Sequence, residues 1–258
     1  MNEKRYLELP EDSLIRWIAL LLLFFSVFAR SESIVVFGAE DYPVICFMKD
    51  GRPQGVFPTV LAGVSKFSGD TYDVQLLPWP RAQAMALLGN GAVAHFSKTT
   101  EREAEYDFSD PVVGDDIDLV VLKGKEFSYK EPRDLKGKRV GAKFGASFGQ
   151  QVDGLMQTGA ITVDRDYGIA SRLRKLLAGR VDVAIVEGSG GDINALTGAD
   201  RDLIENRARF AFLPVPLVHD PLYLAFAKSM NRKDALERFN AGLAKFKKTA
   251  GYRKLIGY

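Results

Sequence analysis

Few side chains in this chain could hold a metal ion or form a disulfide. His95 and His219 are the only histidines and lie far apart in the sequence, and Cys46 is the only cysteine. A zinc site draws three or four ligands from such residues, and a disulfide needs two cysteines. We therefore expect no metal site and no internal disulfide. His95 lies in an apolar segment, which favours a core histidine or one that lines a cleft.

One glycine-rich segment, EGSGGD at residues 187–192, could in principle contact a phosphate group. It lacks the lysine followed by serine or threonine that completes a phosphate-binding loop. A turn between a strand and a helix, with Ser189 or Asp192 as the cap, is the simpler interpretation. The sequence thus predicts no catalytic residue and no cofactor, and we do not expect an enzyme.

The composition is that of a globular protein. The chain has 258 residues, of which 47% are hydrophobic and 26% are charged, and its net charge is +2. No basic cluster alternates with stacking aromatic residues, as a nucleic-acid surface would require. We expect an ordinary solvated surface, a monomer, and no nucleic-acid partner.

The N-terminus has the pattern of an export signal. Basic residues precede an uninterrupted apolar run, Trp17 to Phe28. A transmembrane helix needs roughly 20 apolar residues, whereas the core of a signal peptide needs about 7 to 15. We predict a signal peptide over residues 1–29, cleaved after Ala29 or, as a second choice, after Ser31. An uncleaved membrane anchor is the alternative.

After this leader, short apolar runs alternate with amphipathic stretches, a pattern typical of βαβ units with a largely parallel sheet. Helix ends coincide with glycine or small polar residues. The predicted strands are 34–37, 72–77, 92–96, 139–142, 161–163, 181–186 and 222–227, with one more that begins near residue 118. The predicted helices are 56–67, 81–88, 148–156 and 169–177, followed by a last helix whose apolar stripe is Leu236, Phe239, Leu243 and Phe246.

These elements form two similar cycles, which indicates two α/β lobes. We assign residues 30–119 and 219–258 to lobe 1, and residues 120–218 to lobe 2. The chain would cross between the lobes near 118–122 and again near 214–222. Two such crossings leave a cleft between bodies that can hinge, where a small ligand can be buried.

Several segments together resemble the family 3 periplasmic solute-binding proteins. The likeness rests on their order and spacing along nearly the whole chain after the leader: DYPVICFMKDGRPQGVF at 41–57, PWPRA at 78–82, TTERE at 99–103, DFSDP at 107–111, VGAKFGASFGQQ at 140–151, AGRVDVAIVEG at 178–188 and AGYRKLIGY at 250–258. The resemblance implies a two-lobed type II binding-protein fold, each lobe a central sheet flanked by helices. It also implies a periplasmic protein that passes a polar amino acid to an ABC permease.

In lobe 1 the resemblance points to a carboxylate-binding group. Arg102 stands where the family has its carboxylate-binding arginine, and a planar guanidinium suits that task because it binds a carboxylate in two places. Ser97 and Thr99 could add hydroxyl or backbone donors. The alternative is that Arg102 forms a surface ion pair with Glu101 or Glu105.

In lobe 2 the resemblance points to Ser147 and Glu187. Ser147 lies in a turn at a predicted helix N-terminus, which could offer a hydroxyl and N–H groups to an anion. Glu187 matches the position where the family often has an aspartate that holds the ligand ammonium. Glutamate is one methylene longer, so a solvated strand end remains the alternative.

Aromatic walls often enclose the ligand in this family, which here points to Tyr42 and Trp79. Large rings bury much area at a small entropy cost and can stack on a cation or a planar group. The rival interpretation for Trp79 is that it packs inside the lobe, since Pro80 starts a helix next to it.

Three functions remain open at this point. The first is a periplasmic solute-binding protein for an ABC transporter, with an amino acid or a related small carboxylate as ligand. The second is a periplasmic enzyme on the same fold, similar to cyclohexadienyl or arogenate dehydratases, with Glu187 as the candidate acid. The third is a ligand-sensing module that reports to a membrane partner.

Overall fold

The computed structural model describes residues 31–198 and 200–257. The predicted export signal, residues 1–29, lies outside the described residues. Within the described ranges, no helix is both long enough and apolar enough to cross a membrane.

Strands and helices alternate along the described chain. The strands are β1 Ser33–Ala39, β2 Asp41–Tyr42, β3 Cys46–Lys49, β4 Arg52–Gln54, β5 Thr71–Leu77, β6 Ala92–Ser97, β7 Tyr106–Phe108, β8 Val113–Leu122, β9 Arg139–Lys143, β10 Thr162–Asp166, β11 Val183–Val186, β12 Phe210–Phe212 and β13 Val218–Ala227. The α-helices are α1 Val56–Ser68, α2 Trp79–Leu87, α3 Thr100–Glu105, α4 Gln150–Gln157, α5 Ile169–Leu177, α6 Ile193–Thr197, α7 Arg201–Asn206, α8 Lys233–Lys247 and α9 Ala250–Leu255.

The strands form one hydrogen-bonded path in the order β10-β9-β11-β8-β13-β6-β1-β5, with β12 added to β8 and β7 added to β13. At one end, β1 pairs in parallel with β5 and β6, and we call this half lobe 1. At the other end, β9 pairs in parallel with β10 and β11, and we call this half lobe 2. The predicted parallel pairing within each half is therefore present.

Two long strands join the lobes. In β8 and β13, residues 113–117 pair antiparallel with residues 218–222. The rest of β8 pairs with β11 and β12 of lobe 2, whereas the rest of β13 pairs with β6 and β7 of lobe 1. These two strands are thus the connections about which the lobes can move.

The hydrophobic core is divided in the same way. One buried cluster contains apolar residues of lobe 1 and of helices α8 and α9, and two further clusters fill the two faces of lobe 2. Helix α1 packs against α8 so closely that a Cβ on Gly63 would lie 2.3 Å from the Phe246 ring. The stripe predicted on the last helix is buried, because Leu236, Phe239 and Leu243 belong to the lobe 1 cluster.

The structure corrects several predicted element boundaries. Strand β8 begins at Val113, five residues before the predicted start, and β13 begins at Val218 instead of residue 222. Both early segments contain polar residues because their side chains alternate between a more buried and an exposed face, so their apolar signal is weak. The predicted lobe boundaries, after residue 119 and before residue 219, stay predictions.

Candidate functional site

A small cavity lies between the two lobes, and six of the seven predicted ligand-binding residues line it. Its volume is about 40 Å³, which is room for about three water molecules at roughly 10–15 Å³ each. The lining residues are Ala39, Tyr42, Trp79, His95, Ser97, Arg102, Ile117, Lys143, Ala146, Ser147, Phe148, Glu187 and Asp220. The seventh predicted residue, Thr99, lies outside it.

Helix α3 positions Arg102 at this cavity. Its Nη1 donates to the Ser97 carbonyl (2.8 Å), while Nη2 donates to Gln83 Oε1 (3.3 Å) and to the Gly145 carbonyl of lobe 2 (3.4 Å). The guanidinium also stacks on the Phe96 ring, 4.0 Å from its centroid. Burial lowers the pKa of Arg102 to about 10, which leaves it charged at neutral pH. Arg102 therefore presents a cation to both lobes.

Thr99 and Ser97 have structural partners beside Arg102. The Thr99 hydroxyl accepts from the Arg102 backbone N–H (3.2 Å) and so caps helix α3. Thr99 lines a second, larger cavity of about 850 Å³ that also lies between the lobes. The Ser97 hydroxyl donates to Asp220 Oδ2 (2.6 Å). Ser97 thus contacts an arginine through its carbonyl and an aspartate through its hydroxyl.

Three rings of lobe 1 form one wall of the cavity. Tyr42 meets His95 edge-on at 5.0 Å, and Trp79 lies at 5.1 Å from His95 on another side. Both Tyr42 and Trp79 are buried in the lobe 1 core as well as lining the cavity. The Trp79 indole N–H donates to the Gly145 carbonyl (3.3 Å), so this ring also joins the two lobes.

His95 is a neutral acceptor in this wall. Its Nε2 accepts from the Ala39 backbone N–H (2.8 Å), and burial lowers the pKa of His95 to about 3. The residue has φ of 41°, a left-handed conformation that is rare outside glycine and costs energy where it occurs. His95 is buried and lines the cavity, as expected from the sequence for a core or cleft histidine.

The lobe 2 turn that contains Ser147 differs from the expected helix start. Helix α4 begins at Gln150 and not at Phe148. The Ser147 hydroxyl donates to the Asp153 carboxylate, and the Phe148 N–H donates to the same group (3.0 Å). The helix starts later because this carboxylate closes the preceding turn. Ser147 lines the cavity, but its hydroxyl hydrogen is already used.

Sequence reasoning overlooked a motif in this turn. Residues 145–149, Gly-Ala-Ser-Phe-Gly, have the G-x-S-x-G spacing of a nucleophile elbow. A serine nucleophile needs a base within hydrogen-bond reach. Here the Ser147 hydroxyl donates to a carboxylate, and the His95 acceptor nitrogen is occupied by the Ala39 N–H. The arrangement around Ser147 does not activate it as a nucleophile.

Glu187 is buried at the cavity and already neutralised. Its Oε2 accepts from Arg172 Nη1 (2.9 Å), and its Oε1 lies 3.2 Å from Lys143 Nζ. Burial raises the pKa of Glu187, but the nearby Arg172 and Lys143 outweigh it, so the net pKa is lowered. Glu187 is therefore a carboxylate with two cationic partners, and it is not a solvated strand end.

Behind Glu187 lies a fully buried arginine. Arg172 binds Asp166 through Nε and Nη2 at 3.0–3.4 Å and also donates to the Ile185 carbonyl. Lys175 extends the group by pairing with Asp164 (2.6 Å) and Asp166 (3.6 Å). We call Lys143, Asp164, Asp166, Arg172, Lys175 and Glu187 the lobe 2 charge network.

Contacts to backbone groups, two of them from side chains, join the lobes around the cavity. Lys143 Nζ donates to the Asp41 carbonyl (2.7 Å), and the Asp41 carboxylate accepts from the Ile169 N–H at the start of helix α5 (2.9 Å). At Gly188, φ is 65°, and an added Cβ would lie 2.0 Å from the Pro43 carbonyl. Only glycine can occupy this position in this closed arrangement.

Two carboxylates lie opposite each other on the connecting strands, where Asp115 of β8 pairs in register with Asp220 of β13. Asp115 accepts from the Tyr42 hydroxyl (2.9 Å) and from the Gly188 N–H (2.8 Å). Burial raises the pKa of Asp115 to about 7 and that of Asp220 to about 6. The connecting strands therefore contribute titratable groups to the region of the cavity.

Sequence reasoning missed several residues of this site. Lys143 follows the apolar middle of a strand, and Asp220 precedes a proline in the second crossing, so each was a polar residue at an element end. Arg172 follows Ile169 by three residues and precedes Leu176 by four, which puts an arginine on the apolar stripe of α5. A charged residue inside an apolar stripe is a signal that could have revealed it.

Relatives of known name share parts of this sequence and its fold. The L-cystine-binding protein TcyJ of Escherichia coli (strain K12) is 34% identical over 88 residues, which are 34% of this chain and 32% of that protein. The match thus spans about a third of the length of this curated relative.

Solved structures match over most of the chain. An ancestral arginine-binding protein bound to arginine has a TM-score of 0.70 and 24% identity, covering 86% of this chain and 96% of that one. A histidine kinase sensor domain with similarity to periplasmic binding proteins has a TM-score of 0.72 and 22% identity, covering 88% and 95%. These likenesses show the fold, and they confirm the predicted two-lobed α/β architecture of the type II binding proteins.

The sequence profile of one family covers almost all described residues. It is that of the bacterial extracellular solute-binding proteins, family 3, and it matches residues 34–257. The resemblance inferred from the sequence motifs is confirmed by this match. The chain belongs to the bacterial extracellular solute-binding proteins, family 3.

Proposed function

We propose that this solute-binding protein captures an amino acid between its lobes, with the ligand carboxylate on Arg102, and delivers it to an ABC permease. One observation carries the proposal. The Arg102 guanidinium lines the interlobe cavity, and no carboxylate of the described residues lies within ion-pair distance of it. The surface ion pair with Glu101 or Glu105, considered above, is not formed in this arrangement.

The present partners of Arg102 are ones that a ligand can replace. All three of its acceptors are neutral oxygens, and two of them, Gln83 Oε1 and the Gly145 carbonyl, lie at 3.3–3.4 Å. A carboxylate forms shorter, charge-assisted bonds to a guanidinium, in a two-point geometry that neutral oxygens cannot supply. Replacing these two contacts would keep the bond to the Ser97 carbonyl and would place the ligand between the lobes.

The cavity volume requires that the lobes part before a ligand enters. A space of about 40 Å³ holds water but not an amino acid. The donors of Trp79, Gln83 and Arg102 all converge on the Gly145 carbonyl of the other lobe. Opening about β8 and β13 would break these contacts, and a ligand that binds both lobes would favour closure again.

The relatives support an amino acid as the ligand class. The curated relative is named for L-cystine, and one of the solved structures holds arginine. The family is extracellular, and the predicted export signal over residues 1–29 would bring the protein to the periplasm. Another solved structure of this fold is the substrate binding protein of an amino acid ABC transporter, and the partner that we propose is therefore an ABC permease.

The enzyme alternative has less support from the geometry. Its candidate acid, Glu187, would have to keep a proton near neutral pH, which needs a raised pKa. Arg172 and Lys143 instead lower the pKa of Glu187. A ligand-sensing module would share the binding step and differ only in its partner.

The test is thermal unfolding of the purified protein with a panel of amino acids, amines and small carboxylates. A ligand that binds only the folded state stabilises it by roughly 2.7 kcal/mol at a hundredfold excess over its Kd. We expect an amino acid to raise the unfolding midpoint of the wild type and to have little effect on Arg102→Ala. Arg102→Lys keeps the charge without the two-point geometry, and we expect an intermediate shift.

Arg201→Ala is the control, because this arginine is exposed and, among the described residues, forms an ion pair with Glu205 alone. It should keep the full ligand-induced shift. If no amino acid or carboxylate shifts the wild type, or if Arg102→Ala keeps the wild-type shift, the proposal is wrong. Turnover of a cyclic dicarboxylate such as arogenate would favour the enzyme instead.

A further inference from the structure

The charges around the cavity fall into two groups. The first is the lobe 2 charge network, which has three cations and three anions. All of its members are joined by ion pairs of 2.6–3.6 Å. Glu187, where the family's ammonium-binding aspartate is expected, belongs to this group. Its charge is already balanced before any ligand arrives.

The second group consists of Arg102 and Asp220. Both line the cavity, and neither has an oppositely charged partner within 4.0 Å among the residues that the structure describes. They flank the same residue, because Arg102 donates to the Ser97 carbonyl (2.8 Å) and Asp220 accepts from the Ser97 hydroxyl (2.6 Å). A cation and an anion thus lie one residue apart, both facing the cavity.

This arrangement matches the charges of an amino acid. An α-amino acid carries a carboxylate and an ammonium on one carbon, and each must find an opposite charge when it is buried. We infer that Asp220, and not Glu187, is the counter-ion of the ligand ammonium, so that the Arg102–Ser97–Asp220 group selects zwitterions. The inference rests on the proposed function, since it assumes an amino acid in this cavity.

Two further features of Asp220 support this role. Burial raises the pKa of Asp220 to about 6, so it is an anion at neutral pH, and a nearby ammonium would stabilise that form further. Asp220 also lines both the inner cavity and the larger cavity of about 850 Å³. This carboxylate is therefore within reach of a ligand in either cavity.

The test compares zwitterions with the same molecules lacking the ammonium. The probes are L-glutamine, L-cystine and L-arginine, each measured beside its deaminated counterpart: glutaramate, dithiodipropionate and guanidinovalerate. Calorimetric titration measures, for the wild type and for Asp220→Asn, the ratio of the affinity for the zwitterion to the affinity for its deaminated counterpart. Loss of a buried charge partner costs about tenfold or more in affinity. We expect Asp220→Asn to lose that much affinity for the zwitterion that the wild type binds, and to keep nearly the same affinity for its deaminated counterpart.

Asp116→Asn is the matched control. Asp116 follows Asp115, the in-register partner of Asp220 on β8, and it is exposed beside His219. It should keep the wild-type ratio. Glu187→Gln should lower stability without changing the ratio, since its carboxylate serves the lobe 2 charge network. If Asp220→Asn keeps the ratio, or if Glu187→Gln is the variant that loses it, the Asp220 assignment is wrong while amino-acid binding stands. If the wild type binds no amino acid in this titration or in the thermal-unfolding panel, the proposed function fails with it.

Discussion

The lobe 2 charge network and the Arg102–Asp220 pair are both partly or fully buried sets of charges, but they differ in how those charges are satisfied. In the network, Arg172 is fully buried and contacts two carboxylates and a backbone carbonyl. At the cavity, Arg102 has only neutral oxygen acceptors, and Asp220 accepts from a serine hydroxyl. Every charge of the first set has an opposite charge within 4.0 Å without a ligand, although Glu187 Oε1 accepts no hydrogen bond from the described residues. The second set has opposite charges that do not reach each other.

This difference separates residues that hold the fold from residues that are available for binding. Breaking a complete buried ion pair leaves an uncompensated charge in the interior, which strongly destabilises a protein. Removing an arginine whose partners are neutral oxygens costs less, because those oxygens keep other contacts or reach water. Mutations in the lobe 2 charge network should therefore lower stability more than ligand affinity, and mutations of Arg102 or Asp220 should lower ligand affinity more than stability.

The largest expected effect is on stability, from Arg172→Met, which keeps similar volume without the charge. Asp166 and Glu187 would lose their shared cation inside lobe 2. We expect the free energy of unfolding in urea to fall by about 3–5 kcal/mol. Arg102→Ala should cost less than half of that loss while it removes ligand binding.

Arg174→Ala is the control on the same helix, since its side chain is half exposed and pairs with Asp200. The free energy of unfolding should change by about 0.5 kcal/mol or less. If Arg172→Met and Arg174→Ala lower the free energy of unfolding equally, the lobe 2 charge network does not stabilise the fold in the way we describe.

A smaller effect concerns pH and the connecting strands. Burial raises the pKa of Asp115 to about 7, above its value in the unfolded chain. The folded state then binds the proton more tightly, so stability is greatest below the unfolded pKa and falls as pH rises through 7. Asp115→Asn should flatten the dependence of urea unfolding between pH 5 and pH 8, which we expect to be of the order of 1–3 kcal/mol.

Asp116→Asn changes an exposed neighbour on the same strand and should leave the pH dependence in place. Asp220 contributes in the same direction, because burial raises its pKa to about 6. A pH profile of Asp115→Asn that coincides with that of the wild type would show that Asp115 is ionised in the folded protein throughout this range.

The alternation of strands and helices and the position of Arg102 could be predicted from the sequence. Helix α5 has the predicted bounds, 169–177, because its apolar stripe ends at a glycine turn. The strand before Arg102 is a short apolar run, Ala92–Ser97, with Thr99 as a side-chain cap immediately after it. Local patterns of this kind fix where an element ends and therefore where the next side chain lies.

Partners that are distant in sequence could not be predicted. Glu187 has the expected place in the chain, but its pairing with Lys143 and Arg172 depends on three separate elements coming together. Asp220 is 123 residues from Ser97, its hydrogen-bond partner. Such contacts are set by the pairing of β13 with β6 and β8, which no local pattern specifies.

The most direct measurement is a crystal structure of the protein with the amino acid that gives the largest thermal shift. We expect the ligand carboxylate within about 3 Å of the Arg102 guanidinium and the ligand ammonium within about 3 Å of the Asp220 carboxylate. We also expect Glu187 to remain paired with Arg172. A ligand bound outside the interlobe cavity, or one whose carboxylate has no contact with Arg102, would contradict the account.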